Sequence, residues 1–364
     1  MERRRFLTRT AATVATTAAV AAPAVHAQGT PQIRWRVASS YPRSLDTIYG
    51  AMDMAAKRIA ELTDGKFHLS VHPAGELVPA LGVLDAVQNS TVEAGHTASY
   101  FYVGKDPAFG LGTALPFGLN ARGQNAWLYT GGGMELLNEF YAQYKLLNFP
   151  IGNTGAQMAG WYRKEIKEPA DFKGLKFRVG GLAGMALAKL GVVPQQLAPG
   201  DLYQALEKGV LDAAEFVGPH DDEKLGLHKV AKYYYYPGWW EGTATLNFFV
   251  NQKAWDSLPK SYQAAIRTAT AEANQWCTAK YDTSNPLALM RLVQGGAQLR
   301  SFSRPVLDAS YKATHELFEE LSAQSPAFKK MFVEWSKFRD TQTTWQLYCD
   351  LPFDSYMASA RRKK

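Results

Sequence analysis

Residues 168–216 read EPADFKGLKFRVGGLAGMALAKLGVVPQQLAPGDLYQALEKGVLDAAEF. Within this stretch, 175–179 (Leu-Lys-Phe-Arg-Val) has the pattern of a short strand, Gly180 and Gly181 break it, and 182–190 has the apolar content of a helix. Another strand-like run spans 192–197. Pro199-Gly200-Asp201 caps a helix over 202–208, Gly209 ends it, and 213–217 reads as a strand. Short strands alternating with helices indicate an α/β layer structure. Arg178 closes its strand at the carboxyl end, where open α/β sheets bind ligands. Its guanidinium is a rigid fork of donors that suits a carboxylate. Position alone fits an exposed strand-end arginine equally well, so the rest of the chain has to decide.

Upstream, 32–39 alternates apolar and polar residues as a strand, 46–62 has helical spacing and stops at Asp64-Gly65, and 66–72 alternates again. A helix over 76–90 and a strand over 94–100 complete a β-α-β-α-β opening, which calls for a mostly parallel sheet. The Gly-rich stretch 104–133, interrupted by Pro107 and Pro116, reads as an irregular loop before a helix over 133–144. A further strand over 148–162 places a crossing between two lobes near Pro150. Downstream, 233–236 is an aromatic strand broken by Pro237-Gly238, and 245–251 is another strand. Helical patterns follow over 261–281, 286–294, 306–321 and 327–348.

The 364 residues are 46% hydrophobic and 20% charged, an ordinary globular composition. The net charge of +7 resides at the ends. Residues 1–27 hold Arg3, Arg4, Arg5 and Arg9 against Glu2, and the last four residues are Arg361, Arg362, Lys363 and Lys364. The body is near neutral, which argues against nucleic acid as a partner. Arg3-Arg4-Arg5-Phe6-Leu7 reads as a twin-arginine export signal, followed by the weakly apolar run 11–22 and a small-residue cleavage site at Val25-His26-Ala27. A general secretory signal is the alternative, and either route leads to the periplasm. Cys277 and Cys349 are compatible with a disulfide or with two free buried thiols.

Rival chemistries fit poorly. Gly180-Gly181-Leu182-Ala183-Gly184 lacks the first glycine of a dinucleotide fingerprint. His68 and His72 fall on an alternating strand, about 13 Å apart, too far for one zinc. His220-Asp221-Asp222-Glu223 reads as a solvated loop before it reads as a cation site. The sequence contains neither a G-x-S-x-G elbow nor an H-E-x-x-H pair. An exported two-lobed chain without catalytic groups is expected to bind a ligand and not to be an enzyme.

Pro169-x-Asp171-x-Lys173-Gly174-x-Lys176-x-Arg178 resembles the hallmark of the periplasmic solute receptors of tripartite ATP-independent periplasmic (TRAP) transporters. Further matches are Gly191 to Pro194, Tyr203-x-Ala205-Leu206-x-x-Gly209-x-x-Asp212-Ala213-Ala214-Glu215, and Asn251-x-x-Ala254-Trp255-x-x-Leu258-Pro259. The resemblance implies an α/β, two-lobed, type II-like periplasmic binding protein with a long C-terminal helical region spanning the lobes. The implied division is a leader over 1–27, one lobe over 28–150 plus about 242–280, a second over 151–241 plus about 281–350, and a basic tail over 351–364.

The chain is most similar to the branch that binds 2-oxo and 2-hydroxy acids such as pyruvate, 2-oxobutyrate or lactate. That likeness implies substrate contacts from Arg178, Gln157, Tyr100, Phe101, Trp240 and Asn153. It implies a Na⁺ or Ca²⁺ ion bridging to the substrate, held by Gln157, Glu215, Phe216 and Glu241. Implied partners are a small organic acid anion, the TRAP membrane permease subunits and a second copy joined through the C-terminal helices. A receptor for a dicarboxylate or sugar acid, a sensor subunit and a periplasmic enzyme are the alternatives.

Overall fold

Residues 33–39 form a strand because every second side chain of Ile33, Trp35 and Val37 turns inward while Arg34 and Arg36 face water. This strand, β1 (Ile33–Ser39), opens a computed structural model that describes residues 31–361. The export signal, its cleavage site and the last three basic residues lie outside the described residues. Helix α1 (Ile48–Leu62) follows, then β2 (Phe67–His72), α2 (Val83–Gln88), β3 (Ala94–Thr97), α3 (Ala121–Thr130), α4 (Gly133–Ala142) and β4 (Leu146–Asn153). The chain then enters β5 (Trp161–Tyr162), β6 (Lys176–Arg178), α5 (Gly181–Ala188), β7 (Val193–Gln195), α6 (Leu202–Glu207), β8 (Ala213–Ala214), α7 (Pro219–Leu225) and β9 (Tyr233–Tyr236). It closes with β10 (Thr245–Asn251), α8 (Gln252–Asp256), α9 (Lys260–Gln294), β11 (Gln298–Ser301), α10 (Arg304–Gln324), α11 (Pro326–Tyr348) and α12 (Asp350–Arg361).

Two sheets carry the architecture. The first has the order β2-β1-β3-β10-β4 and the second β11-β9-β5-β8-β6-β7. β1 is parallel to β2 and β3, and β6 to β7 and β8, as the β-α-β alternation requires. Each sheet takes one antiparallel strand, β10 between β3 and β4, and β5 between β8 and β9. The chain leaves the first sheet after Asn153, enters the second at Trp161, and returns between Tyr236 and Thr245. α9 packs on α1 and β4 of the first lobe and on α7 of the second, making a third connection. α10 packs on α5, and α11 on α3 and α4, so the C-terminal helices span both lobes. Among the described residues no helix is long and apolar enough to cross a membrane.

Several expectations from the sequence need correction. Pro150 is not at the crossing. It sits inside the edge strand β4, opposite Asn247 and beside a bulge, where a missing N–H costs little. The strand expected over 94–100 stops at Thr97, and Tyr100 and Phe101 lie in a 3-10 turn, Ser99–Tyr102. The helix expected over 76–90 shrinks to α2, because Pro79 opens a tight turn just ahead of it. The stretch read as a loop contains α3, whose first turn is capped by Asn120 accepting from Gly123 N at 2.9 Å. α9 runs through Pro286, which faces solvent while Tyr281 and Ala288 anchor the helix on either side. The tail read over 351–364 is helical as far as Arg361. Both cysteines are free thiols, with Cys277 buried and Cys349 partly so.

Candidate ligand site

The two crossing segments and the ends of β6 and β8 meet around Arg178. β6 is buried after its first residue, so the Arg178 side chain is drawn fully inside the protein. Its Nη1 donates to the Glu215 backbone oxygen at 2.5 Å and to Glu215 Oε1 at 2.7 Å, and its Nε donates to the Leu197 carbonyl at 3.3 Å. Gly180 N, at the start of α5, donates to the same Glu215 Oε1 at 3.0 Å. The Phe216 ring lies 5.7 Å from the guanidinium carbon. Arg178 is therefore no exposed strand-end arginine. It is locked to Glu215 through one arm of its fork.

Gln157 and Glu241 lie on the first and second crossings and are tied through their backbones, Gln157 N donating to Glu241 O at 3.2 Å. Gln157 Nε2 donates to Thr154 Oγ1 at 3.1 Å. Asn153, the last residue of β4, uses Oδ1 to accept from Gly155 N at 2.9 Å and Thr243 Oγ1 at 2.5 Å. Trp240 is buried edge-on to Phe177. Among the described residues, buried side-chain atoms without a hydrogen-bond partner include Arg178 Nη2, Asn153 Nδ2, Trp240 Nε1, Gln157 Oε1, Glu215 Oε2 and Glu241 Oε2. Buried polar atoms are ordinarily satisfied. Trp240 and Glu215 lie close enough to interact, as do Tyr100 and Glu241, so Arg178 Nη2, Asn153 Nδ2 and Gln157 Oε1 are the clearest atoms left for an outside group.

The charges say the same. Burial raises the Glu215 carboxyl above its ordinary range, against the pull of the Arg178 guanidinium and the Gly180 N–H. Burial also raises Glu241 strongly, and the neighbouring Glu215 adds to it. Two buried carboxylates thus share one guanidinium. Their free oxygens and the Gln157 amide oxygen form the donor set that a hard cation prefers.

Tyr100 and Phe101 come from the first lobe. Their rings stack at 5.0 Å, and the Phe101 carbonyl accepts from Gln196 Nε2 of the second lobe at 2.8 Å. The Tyr100 ring packs closely against Gly180 and Gly181. A Cβ on Gly181, where φ is +59°, would stand 2.4 Å from the ring. Glycine is required there so that the lobes can meet over Arg178. Arg178, Glu215, Phe216, Tyr100, Phe101, Trp240 and Glu241 are thus linked by contacts or charge, Gln157 joins through the Glu241 backbone, and Asn153 lies on the crossing beside Thr243. Sequence reasoning missed Tyr41, which is buried against His96 and Phe101 and is electrostatically coupled to Glu241 and Arg178. Its signal was available, since it is the first aromatic past the carboxyl end of β1.

The run His220-Asp221-Asp222-Glu223 is not a solvated loop. It lies in α7, and Asp221 and Asp222 are buried. Asp222 accepts from Tyr234 OH at 2.7 Å and Trp161 Nε1 at 3.1 Å, and Asp221 from Tyr281 OH at 2.5 Å. These bonds fasten the segment just beyond Glu215 and Phe216 to β5, β9 and α9. Burial pushes Asp221 up to about 6 and Asp222 up to about 7 from an ordinary 3.8. The folded protein therefore holds protons that the unfolded chain has already released between about pH 4 and 7, and its stability falls as pH rises through that window. Asp222→Asn is expected to remove a loss on the order of 1–4 kcal/mol between pH 4.5 and 7.5, seen as a flatter series of urea midpoints. An unchanged slope would show that Asp222 is ionised in the fold.

A family model described as bacterial extracellular solute-binding protein, family 7, matches residues 38–325. A monocarboxylate 2-oxoacid-binding periplasmic protein of Nostoc sp. is 47% identical over 365 aligned positions, covering 99% of this chain and 100% of the relative. A TRAP transporter solute-binding protein of Bordetella bronchiseptica superposes with a TM-score of 0.91 at 51% identity, over 92% of this chain and 100% of its own. Its crystals hold a mixed-occupancy dimer, with copurified calcium and picolinate in one active site and the other apo. A TRAP periplasmic solute-binding protein of Pseudoalteromonas atlantica, with bound sodium and pyruvate, gives 0.86 at 38% identity, over 90% of this chain and 99% of its own.

Proposed function

The chain belongs to family 7 of the bacterial extracellular solute-binding proteins, and on that premise we propose that it captures a small 2-oxo or 2-hydroxy monocarboxylate together with a cation and passes it to a TRAP membrane permease. It works in the periplasm, as the name of its Nostoc relative states for that protein. The observation that carries the reading is the set of unsatisfied atoms around Arg178. Arg178 Nη2, Asn153 Nδ2 and Trp240 Nε1 are donors for the ligand's oxygens, and Gln157 Oε1, Glu215 Oε2 and Glu241 Oε2 are ligands for the cation. The Phe216 carbonyl, next along the chain from Glu215, is the further cation ligand. A Na⁺ or Ca²⁺ held by these residues would offset their charge and favour a ligand with a carboxylate beside a second oxygen, as in a 2-oxo acid.

Arg178, held by Glu215, presents its remaining nitrogen to the ligand carboxylate. Tyr100, Phe101 and Trp240 wall the site and exclude water, which strengthens that charge pair. The ligand leaves chemically unchanged, as suits a member of a solute-binding family. A second copy docks on the C-terminal helices, where Tyr348, Phe353 and Tyr356 are 81%, 66% and 70% exposed.

A thermal-shift screen tests the reading. Pyruvate, 2-oxobutyrate or lactate at about a hundred times its dissociation constant, with calcium or sodium present, is expected to raise the melting temperature by roughly 5 °C. Dicarboxylates and sugar acids should shift it little. Larger shifts with a dicarboxylate would sink the monocarboxylate assignment.

A further inference from the structure

The loop between β1 and α1 reaches the second lobe through Asp46. This half-exposed carboxylate of the first lobe accepts from His220 Nε2 at 2.9 Å and pairs with Lys224, both on α7 of the second lobe. Lys280 of α9 holds the same residue from a third side, 3.0 Å from Oδ2 and 2.9 Å from the backbone carbonyl. Burial pushes the Asp46 carboxyl up, but hydrogen bonds from Lys224, Lys280 and His220 outweigh it and hold the group well below its ordinary range. It is an anion throughout the neutral range. Asp46, His220 and Asp221 bring ligand atoms within 4.8 Å of one another. Two ammonium groups already share the Asp46 carboxylate, however, so this is no place for a metal cation.

Position makes the cluster informative. Asp46 follows β1 of the first sheet, and α7 follows β8 of the second. A closure that carries β8 and α7 toward β1 shortens the distance from Asp46 to Lys224 and His220. Two further contacts between the lobes are uncharged, Tyr100 on Gly180 and Gly181, and Gln196 on the Phe101 carbonyl. We propose that Asp46 is an electrostatic latch: its pairing with Lys224 and His220 forms as the lobes close and slows the ligand's escape. This rests on the reading of the chain as a receptor that closes over a ligand. Asp46 touches no ligand. It is a positioning residue that acts on the closed state.

The test follows pyruvate release from the calcium-loaded mature chain by stopped-flow tryptophan fluorescence. Asp46→Asn is expected to release roughly 3- to 10-fold faster than wild type, with association little changed. Lys224→Met should fall between, and Asp46→Asn with Lys224→Met should be no faster than Asp46→Asn alone. Salt near 1 M should erase most of the wild-type advantage. Release at the wild-type rate from Asp46→Asn, or from Lys224→Met if Asp46→Asn fails to fold, overturns the latch. Failure of the monocarboxylate reading shows separately, in the wild-type arm. If wild type binds no 2-oxo acid, the same comparison runs on the acid returned by the thermal-shift screen, and a chain that binds none has no closed state to latch.

Discussion

Arg178→Lys is expected to lower the affinity for the carboxylate ligand at least about thirtyfold while the far-ultraviolet circular dichroism stays that of the wild type. The reason lies in how the fork is divided. Nη1 is committed to Glu215, at 2.5 and 2.7 Å, and Nε to the Leu197 carbonyl. Nη2 is buried and without a protein partner among the described residues. One arm anchors the side chain and the other is presented. A lysine has a single ammonium on a flexible stem. It can hold Glu215 or meet the ligand, but it lacks the planar geometry to do both. Whichever it abandons is a buried charge without its partner, a loss of about 2–5 kcal/mol, or roughly 30- to several-thousand-fold in affinity. Titration calorimetry of wild type and variant at equal cation concentration measures this directly. An affinity within about fivefold of wild type would remove Arg178 from the ligand's carboxylate.

The sequence raises Arg178 because it lies at a short, regular strand end inside a run with unmistakable punctuation, whereas Glu215 enters through the family likeness. Gly180-Gly181 and Pro199-Gly200-Asp201 tell the reader where each element stops. Gln157 and Glu241 are a different case. They sit on irregular crossings, and no periodicity singles out one polar residue there, so only the family likeness draws attention to them. Tyr41 has a signal, its place just past the carboxyl end of β1, but one aromatic residue there looks like core until the second lobe is in place. The misread elements have two causes. Asn120 is a local cap, masked by the glycines and prolines around it, that starts a helix, whereas Pro286 sits inside a helix that packing on either side keeps whole. Asp221 and Asp222 show the same limit for chemistry. Two adjacent acids look solvated in the sequence, and only the fold reveals Trp161, Tyr234 and Tyr281 waiting to donate to them.

Replacing Glu241 by Gln is expected to turn the receptor's cation preference from calcium toward sodium. The argument is a count of buried charges. With Glu215 and Glu241 both ionised, as cation ligands must be, Arg178 supplies one positive charge and a monocarboxylate ligand adds another negative one, which leaves two uncompensated, and burial opposes that state at both carboxyls. An uncompensated buried charge is costly enough that the site must take up a counter-charge with its ligand. A divalent ion brings the wild-type set to neutrality. A monovalent ion leaves one negative charge over, which falls to Glu241, the carboxyl that burial and Glu215 push furthest from its ionised form. With Gln at 241 the amide keeps an oxygen for the cation but removes that charge. Sodium then neutralises the site, and calcium leaves an excess positive charge. The ratio of pyruvate affinity in calcium to that in sodium should therefore fall at least about tenfold. Wild type, stripped of both ions by chelation and exchange into sodium-free buffer, should bind pyruvate at least about tenfold more weakly than in calcium. Calorimetry of both proteins in the three buffers reads all of this at once. Equal wild-type affinities with and without cations would show that Gln157, Glu215 and Glu241 hold no ion. A calcium-to-sodium ratio unmoved by Glu241→Gln would place the ion on Gln157 and Glu215 without Glu241.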